Sequence, residues 1–417
     1  KLRIGWGQVG NASVSSYQTL PVFGNVYGPN HDPDNESQTV VGIVGTNIAN
    51  PLLRWETSEQ TNIGLDLGLW RGRFTLTADI YDKNTFDLLY KKKIAVSSGH
   101  SEMWVNQGVL NNRGMEFTVE AVPVKTGLVE WSLGGNISFN RGKIVSLGEG
   151  ADGGEIYLSK GDKQYRKYYL GATIATGSYC AYPANAFIEG QPIGLFYGWK
   201  TAGIIQEGET GPEPSEGIAA EPGFVKFVDM DDNGYIDTND RTIIGDPNPD
   251  FTYGFNSSLS VWNFTLNVGF SGTYGNDIAN INLVQETHLG TLNMNIRKEA
   301  FEGRWTKENP STKYPSIESL MGSNGSSQLR YFTDRLIEDG SFLRLSNVSL
   351  SFHVPLPKKS FVKGLDLTAS GSNLFVWTKY SGYDPDVNSF GTLNKMGIDF
   401  GSYPSARTFS FDVKLTF

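Results

Sequence analysis

The stretch NIGLDLGLWRGRFTLTADIYDK, residues 62–83, decides the fold, because apolar and polar residues alternate along both of its halves. One face of the two halves would carry Ile63, Leu65, Leu67 and Leu69, followed by Phe74, Leu76, Ala78 and Ile80. A period of two is typical of a β-strand whose two faces meet different surroundings. Arg71, Gly72 and Arg73 between the halves suit a tight turn. The stretch therefore predicts an antiparallel hairpin with one apolar and one polar face.

The same alternation recurs along the chain. It predicts three further hairpins at residues 114–140, 253–270 and 348–377, and single strands at 1–9 and 407–417. The connections between them are long and polar, and they cover residues 10–59, 83–112, 142–252, 272–341 and 378–406. Loops longer than about 12–15 residues are unusual in a compact domain. Short turns that alternate with long loops are typical of an outer-membrane barrel, with turns in the periplasm and loops outside. We therefore predict an all-β fold, an antiparallel transmembrane β-barrel.

The last ten residues, TFSFDVKLTF, alternate without interruption and end on an aromatic residue. If the short turns are periplasmic, the tenth strand runs inward and ends in the periplasm. Such a strand resembles the signal that outer-membrane assembly machinery reads, and the alternative is the edge strand of a soluble sheet. The residues of the predicted assembly signal are Phe409, Phe411, Val413, Leu415 and Phe417.

Composition narrows the class of protein. The 417 residues include 49 glycines, 19 tyrosines and 24 phenylalanines, which favours many strands joined by glycine-rich turns. The sequence has no run of 18 apolar residues, so it predicts no membrane-spanning helix. A strand of a membrane barrel needs only about 9–11 residues. The net charge of −9 argues against nucleic acid as a partner. The N-terminus KLRIGWGQVG does not look like a signal peptide, so we expect a removed export signal or a larger protein.

The segment DMDDNGYIDTND, residues 229–240, has the spacing of a twelve-residue calcium loop. Gly234 takes the position of the sharp turn, and Tyr235 would contribute its backbone carbonyl. Oxygen ligands at this spacing favour Ca²⁺, with Mg²⁺ as the second choice. Position 12 is an aspartate, one methylene shorter than the usual glutamate, and the alternative is a turn that binds no ion. The predicted ligands of this structural site are Asp229, Asp231, Asn233, Tyr235, Asp237 and Asp240.

Catalytic motifs are missing from the sequence. The four histidines show no paired spacing for zinc, and Cys180 is the only cysteine, which excludes an internal disulfide. We find no GxSxG, GxxxxGK[ST] or strand-to-helix GxGxxG motif. We therefore expect that the protein is not an enzyme.

Several stretches in a fixed order resemble one family. They are KLRIGWGQVGN, LRWETSEQTNIGLDLGLWRGRFTLTADIYDK, NQGVLNNRGMEFTVEA, FVDMDDNGYIDTNDRTIIGDPNPDFTYGF, DGSFLRLSNVSLSFHVP, GSNLFVWTKYSGYDPDV and YPSARTFSFDVKLTF. Together they are similar to the SusC-like TonB-dependent outer-membrane transporters of Bacteroidetes, and the resemblance covers nearly the whole chain.

The resemblance implies a 22-stranded barrel, a size known for plugged outer-membrane transporters. Residues 1–417 would form the C-terminal part of this barrel, with about ten of its strands, and residues 206–252 would form an extracellular loop region that contains the calcium-like motif. The plug and the segment that contacts TonB would lie outside this chain, so energy coupling is assigned to none of its residues.

The resemblance also implies a function. It is active import of oligomeric nutrients, glycans or oligopeptides, across the outer membrane, powered through TonB and assisted by a SusD-like surface lipoprotein that closes the barrel as a lid. The assembly would be a dimer of transporter–lid pairs in outer-membrane lipid. Aromatic and amide side chains of the long loops are candidates for stacking on the substrate, although packing within the loops is the alternative. These candidates are Trp104, Asn106, Tyr274, Tyr380 and Tyr383.

Two other functions remain open from the sequence. A passive outer-membrane porin would need neither plug nor lid, and the upstream sequence would decide. A soluble calcium-binding adhesin or lectin built from β-sandwiches would be extracted without detergent, and its apolar strand faces would be buried between two sheets.

Overall fold

The wall of the molecule is one antiparallel sheet of ten strands, in which consecutive wall strands pair and the first and the last form the edges. The computed structural model describes residues 1–12, 14, 16–29, 39–149, 153–174, 180–214, 220–287, 295–317, 319, 330–357 and 360–417. The wall strands are β1 Leu2–Asn11, β2 Glu56–Leu69, β3 Phe74–Phe86, β4 Val109–Lys125, β5 Val129–Ser146, β6 Phe251–Val261, β7 Phe264–Tyr274, β8 Phe342–His353, β9 Gly364–Thr378 and β10 Thr408–Thr416. The ten predicted strands and their hairpin pairing are confirmed.

The register places apolar side chains in rows across the wall. Ile4 lies opposite Ile63, Ile63 opposite Ile80, and Ile80 opposite Met115. These four side chains are 74%, 50%, 52% and 44% exposed, in chain order. Because no second sheet covers this face among the described residues, the β-sandwich alternative is wrong. An apolar face in register suits contact with hydrocarbon.

Short connections join the hairpins at one end of the wall, which we name the turn end. The tightest is the two-residue turn Trp262-Asn263 between β6 and β7, where Val261 pairs with Phe264. Trp262 adopts a positive φ of 56° there, as tight hairpin turns require. We name the opposite end, with the long connections, the loop end. That the loop end is extracellular remains a prediction. Closure of a 22-stranded barrel also remains a prediction, because β1 and β10 form the two edges of the described wall.

The long connections are more ordered than their polar composition predicts, because they contain small sheets and helical turns. Their strands are Phe23–Pro29, Thr39–Gly45, Leu89–Lys93, Glu102–Asn106, Gly153–Ser159, Asp162–Leu170, Asn185–Ile188, Leu195–Trp199, Thr201–Ile204, Glu213–Pro214, Val225–Phe227, Tyr235–Ile236, Arg241–Gly245, Asp277–Asn280, Ile337–Asp339 and Ile398–Asp399. Their helices are α1 Asn282–Glu286 and α2 Lys298–Glu302, and their 3-10 turns are Val96–Ser98, Thr238–Asp240, Asp334–Leu336 and Leu393–Lys395. A further 3-10 turn, Trp70–Gly72, lies in the short connection between β2 and β3. Within the described ranges, no helix has the length and hydropathy to cross a bilayer.

The hydrophobic core lies in these connections rather than in the wall. Phe196, Trp199 and Phe332 are fully buried in the connections. Among the described buried apolar residues, the wall strands contribute Ile144 and Phe342. The connections β5–β6, β7–β8 and β9–β10 contribute to one buried cluster, and the first two of them share a second. We name these three packed connections the loop body. It presents a folded surface, not a set of separate loops, at the loop end.

Candidate functional site

A cavity of about 610 Å³ opens where the three connections of the loop body meet. The β5–β6 connection contributes Phe227, the β7–β8 connection contributes Val284 and Leu336, and the β9–β10 connection contributes Ser381. Phe227, Val284 and Leu336 are buried, so the floor of the cavity is apolar. Ligand cavities commonly combine such a floor with a few polar groups and have volumes of about 300–1,000 Å³.

The carboxylates at this cavity are held by donors of the protein itself. Asp334 accepts hydrogen bonds from the backbone N–H of Thr201 at 3.2 Å and from its hydroxyl at 2.7 Å. Glu338 accepts bonds from the hydroxyl of Ser381 at 2.8 Å and from its backbone N–H at 3.1 Å. These bonds connect the three connections and fix the shape of the cavity.

The predicted metal loop brings three carboxylates together. Asp229, Asp231 and Asp240 each place one carboxylate oxygen within 4.8 Å of the others. Asp240 is fully buried and accepts hydrogen bonds from the backbone N–H groups of Met230 at 2.7 Å and of Asp237 at 2.8 Å. These bonds close the two ends of the loop into a compact arrangement.

The electrostatics of the loop favour a cation. Burial raises the pKa of Asp240 above its ordinary value, and the neighbouring charges of Asp231 and Asp229 raise it further, against the two backbone hydrogen bonds. Like charges this close disfavour one another. A divalent cation with hard oxygen ligands would relieve this repulsion, so the residues fit such an ion.

The other predicted ligands take part in the backbone turns. The Asn233 side-chain oxygen accepts a bond from the N–H of Tyr235 at 2.7 Å, and the loop turns at Gly234 with a φ of 88°. The Asp237 carboxylate caps the 3-10 turn Thr238–Asp240 by accepting from the N–H of Asn239 at 2.6 Å. Asp237 does not belong to the cluster of three carboxylates. Its ligation, and that of Asn233 and Tyr235, stays a prediction.

Two of the five substrate candidates lie in the strand Glu102–Asn106, away from the cavity. Asn106 donates to the carbonyls of Arg54 and Asp87 at 2.6 and 2.9 Å, and it accepts from the N–H of Arg54 at 2.7 Å. Its amide therefore joins loop segments. Trp104 is half-buried beneath the Lys91 ammonium, which lies 5.5 Å from the ring centre.

The three tyrosine candidates differ in access. Tyr380 is 5% exposed, and its hydroxyl donates to Asp399 at 2.6 Å, so the ring packs inside the loop body. Burial raises the pKa of this phenol, with the Asp399 carboxylate adding to the effect. Tyr274 was predicted in a long loop, but it is the last residue of the wall strand β7, where it is 53% exposed and stacks on Phe251 at 5.1 Å. Tyr383 is 77% exposed. None of the three lines the cavity, and a substrate contact for them stays a prediction.

The predicted assembly residues lie at every second position along the edge strand β10 and end at Phe417, which follows it. Phe409, Phe411, Val413, Leu415 and the final residue Phe417 are 76%, 69%, 55%, 49% and 69% exposed. β10 pairs with β9 along one of its edges. The geometry presents a continuous apolar stripe, and its recognition by assembly machinery stays a prediction.

Arg241 is a structural residue that the sequence pattern did not reveal. Its guanidinium is buried against the rings of Tyr197 at 4.7 Å and Trp199 at 5.2 Å, and it donates to the carbonyl of Tyr197 at 2.7 Å. Burial lowers its pKa to about 10. Because Arg241 directly follows Asp240, it fastens the metal loop to the core. The only sequence signal was its position after the motif.

Comparisons with known proteins agree with this architecture. Residues 4–374 match the family described as TonB dependent receptor-like, beta-barrel. The chain is 34% identical to TonB-dependent receptor P3 of Formosa agariphila and 30% identical to TonB-dependent receptor SusC of Bacteroides thetaiotaomicron, with all of this chain covered in both cases. It covers only 39% and 37% of those relatives' own lengths.

The solved structure of the RagAB peptide transporter has a similar fold. The TM-score is 0.76 at 22% sequence identity, over 100% of this chain and 40% of that one. At this level of identity the likeness concerns the fold alone. The family match covers most of the chain, and the SusC-like resemblance seen in the sequence is thereby confirmed. The chain belongs to the TonB-dependent receptor-like β-barrel family, whose members lie in the outer membrane.

Proposed function

We propose that this chain forms barrel wall and outer loops of an energised importer for oligomeric nutrients, glycans or oligopeptides. The observation that carries the proposal is the family match over residues 4–374. The similar proteins of Formosa agariphila and Bacteroides thetaiotaomicron are named as receptors, not as enzymes. The loop body adds a second argument, because a cavity of about 610 Å³ opens where its three connections meet.

We base the proposed energy source and partners on the same family. TonB would act through a part of the protein outside this chain. A SusD-like lipoprotein would cover the loop end as a lid, and two transporter–lid pairs would form a dimer. The folded surface of the loop body supports this, since a lid needs a structured rim to close upon. A passive porin has no use for such a rim.

Uptake by cells that carry the full-length protein tests the import function. We expect labelled oligosaccharides or oligopeptides to enter cells that have TonB and the SusD-like lid protein. Uptake should cease when tonB is deleted. A porin would admit the same probes at equal rates in both strains. Uptake that is independent of TonB would contradict the proposal.

We also propose that residues 229–240 hold a structural Ca²⁺, with Mg²⁺ as an alternative. Asp229, Asp231 and Asp240 would supply the first carboxylate ligands, because their oxygens already converge. The ion would neutralise charge beside the buried Asp240. It would stabilise this connection without taking part in the wall.

Hydrogen exchange on the full-length protein in detergent tests this metal site. At a calcium concentration ten times the Kd, we expect exchange in residues 225–245 to slow about tenfold relative to chelator-treated protein. The double variant Asp229→Ala/Asp231→Ala should lose this difference. Asp232→Asn is the matched control, because Asp232 belongs to the same loop but lies outside the carboxylate cluster. Equal protection with and without chelator in the unmodified protein would refute the site.

A further inference from the structure

Arg335 occupies a distinctive position at the cavity of the loop body. It lies in the 3-10 turn Asp334–Leu336, whose Leu336 is 8% exposed and anchors the turn in the core. Arg335 lines the cavity, and its guanidinium donates to the carbonyl of Lys313 at 2.6 Å. One end of the guanidinium is therefore fixed by the backbone of the opposite segment.

Among the described residues, the guanidinium of Arg335 forms no ion pair with a carboxylate. Burial lowers the pKa of its guanidinium, although the charge of Asp334 partly offsets the effect. Within the described part of the chain, no carboxylate oxygen lies within 4.0 Å of it. A guanidinium has five N–H donors, the bond to Lys313 uses one of them, and a partly dehydrated donor left without an acceptor is costly. The remaining donors are therefore available to a ligand.

Most of the other charged groups at the cavity have partners within the protein. The carboxylates of Asp334 and Glu338 already accept bonds from Thr201 and Ser381. Arg297, which also lines the cavity, forms an ion pair with Glu286. The exposed Lys313 also lines the cavity, and its ammonium lies 5.0 Å over the ring of Tyr314. The Glu299 carboxylate, the third at the cavity, lies 4.0 Å from Arg297. Among the described cationic groups of the lining, Arg335 and Lys313 are therefore the two that form no ion pair.

We propose that this cavity binds an acidic oligomer and that Arg335 anchors one of its carboxylate groups. A guanidinium and a carboxylate form two parallel hydrogen bonds, which are strong and directional. The apolar floor of the cavity, formed in part by Phe227 and Val284, would contact the carbon skeleton of the same unit. The inference rests on the proposed import function and specifies the substrate class for it.

The carboxylate can come from an acidic peptide or from a uronic-acid glycan, and paired probes distinguish these sources. We would measure binding of oligoglutamate and oligogalacturonide to the purified full-length protein by calorimetry. Oligoglutamine and a maltooligosaccharide of matched length are the uncharged counterparts. We expect one acidic probe to bind at least about tenfold more tightly than its uncharged counterpart. Equal affinity within both pairs would overturn the proposal.

Substitutions assign the binding to Arg335. Arg335→Gln should weaken the acidic probe about 30-fold or more, and Arg335→Lys should weaken it less because the charge remains. Lys298→Gln is the control: its ammonium is 85% exposed, pairs with Glu302 and does not line the cavity. Its effect should stay below about twofold. If Arg335→Gln fails to fold, Lys313→Gln should still weaken binding about two- to fivefold.

These results separate the cavity from the import function. Binding is measured in purified protein without TonB, so a failure of TonB-dependent uptake leaves the binding result unaffected. Equal affinities of the Arg335→Gln and Lys298→Gln proteins for the acidic probe would overturn the assignment even if import is energised.

Discussion

Replacing Arg344 with methionine should release residues 379–406 from the wall. The Arg344 guanidinium, on β8, contacts the Asp384 carboxylate at 2.5 Å, and both side chains are only 6% exposed. Removing one member of a buried ion pair leaves an uncompensated charge and typically costs about 3–5 kcal/mol. Asp384 also accepts from the backbone N–H of Ser405 at 2.9 Å, so its reorientation would disturb both ends of the connection.

The measurement is hydrogen exchange of residues 379–406 in the full-length protein in detergent. Arg113→Met is the matched control, because Arg113 also extends from a wall strand to an aspartate, Asp82, at 2.8 Å. That pair is 69% and 38% exposed, and exposed pairs contribute about 0–1 kcal/mol. Equal protection losses in the two variants would show that burial of the Arg344 pair is unimportant.

The same ion pair predicts a pH dependence. Burial opposes ionisation of Asp384, but hydrogen bonds from Arg344 and from the N–H groups of Asp386 and Ser405 outweigh it and lower its pKa. A lowered carboxyl pKa gives stability that is complete above the unfolded value of about 4 and is lost as the pH falls through the folded value. The protection of residues 379–406, measured relative to the intrinsic exchange rate at each pH, should therefore fall below about pH 4 in the unmodified protein, and much less so in Arg344→Met.

The wall was predictable from the sequence because each strand carries its own signal. A period of two assigns residues such as Ile63 and Ile80 to one face without any knowledge of their neighbours, and the register confirms it. The turn at Trp262-Asn263 was likewise visible from the gap between two alternating runs. Local patterns suffice where the structure is periodic and its surroundings differ on two sides.

The loop body was not predictable, because its contacts join distant residues without periodicity. Phe196 and Phe332 lie 6.1 Å apart between ring centres in different connections, and neither sits in an alternating run. Polar composition therefore suggested loops where a core exists. The metal motif is an intermediate case: its spacing brought Asp229, Asp231 and Asp240 to one point, but it did not show that Asp240 is buried.

The substrate candidates show the same limit. Residue type alone could not separate Tyr380, which is buried, from Tyr383, which is exposed. Arg335 carried no signal at all, because an arginine in a polar stretch is ordinary until its neighbours are known. Sites built by three connections become visible only when the connections are placed together.

Replacing Trp199 with alanine should unfold much of the loop body while the wall remains intact. Trp199 is fully buried and packs edge-on against Tyr182 at 4.9 Å and Tyr331 at 4.8 Å. Its indole N–H donates to the carbonyl of Asp237 at 2.7 Å, inside the metal loop. Loss of a buried aromatic side chain costs about 3–5 kcal/mol, and the Asp237 carbonyl would also lose its partner.

Hydrogen exchange should report this loss in residues 225–245 and 330–336, with the wall strands unchanged. Trp262→Ala removes the same side chain from the turn end, where Trp262 is 76% exposed, and should change local stability by less than about 0.5 kcal/mol. Trp199→Phe keeps most of the volume but not the donor, so it should cost about 1–3 kcal/mol. If these segments are as well protected from hydrogen exchange in Trp199→Ala as in Trp262→Ala, the connections do not share a core. The cavity at Arg335 would then lack the rigid frame on which selective binding depends.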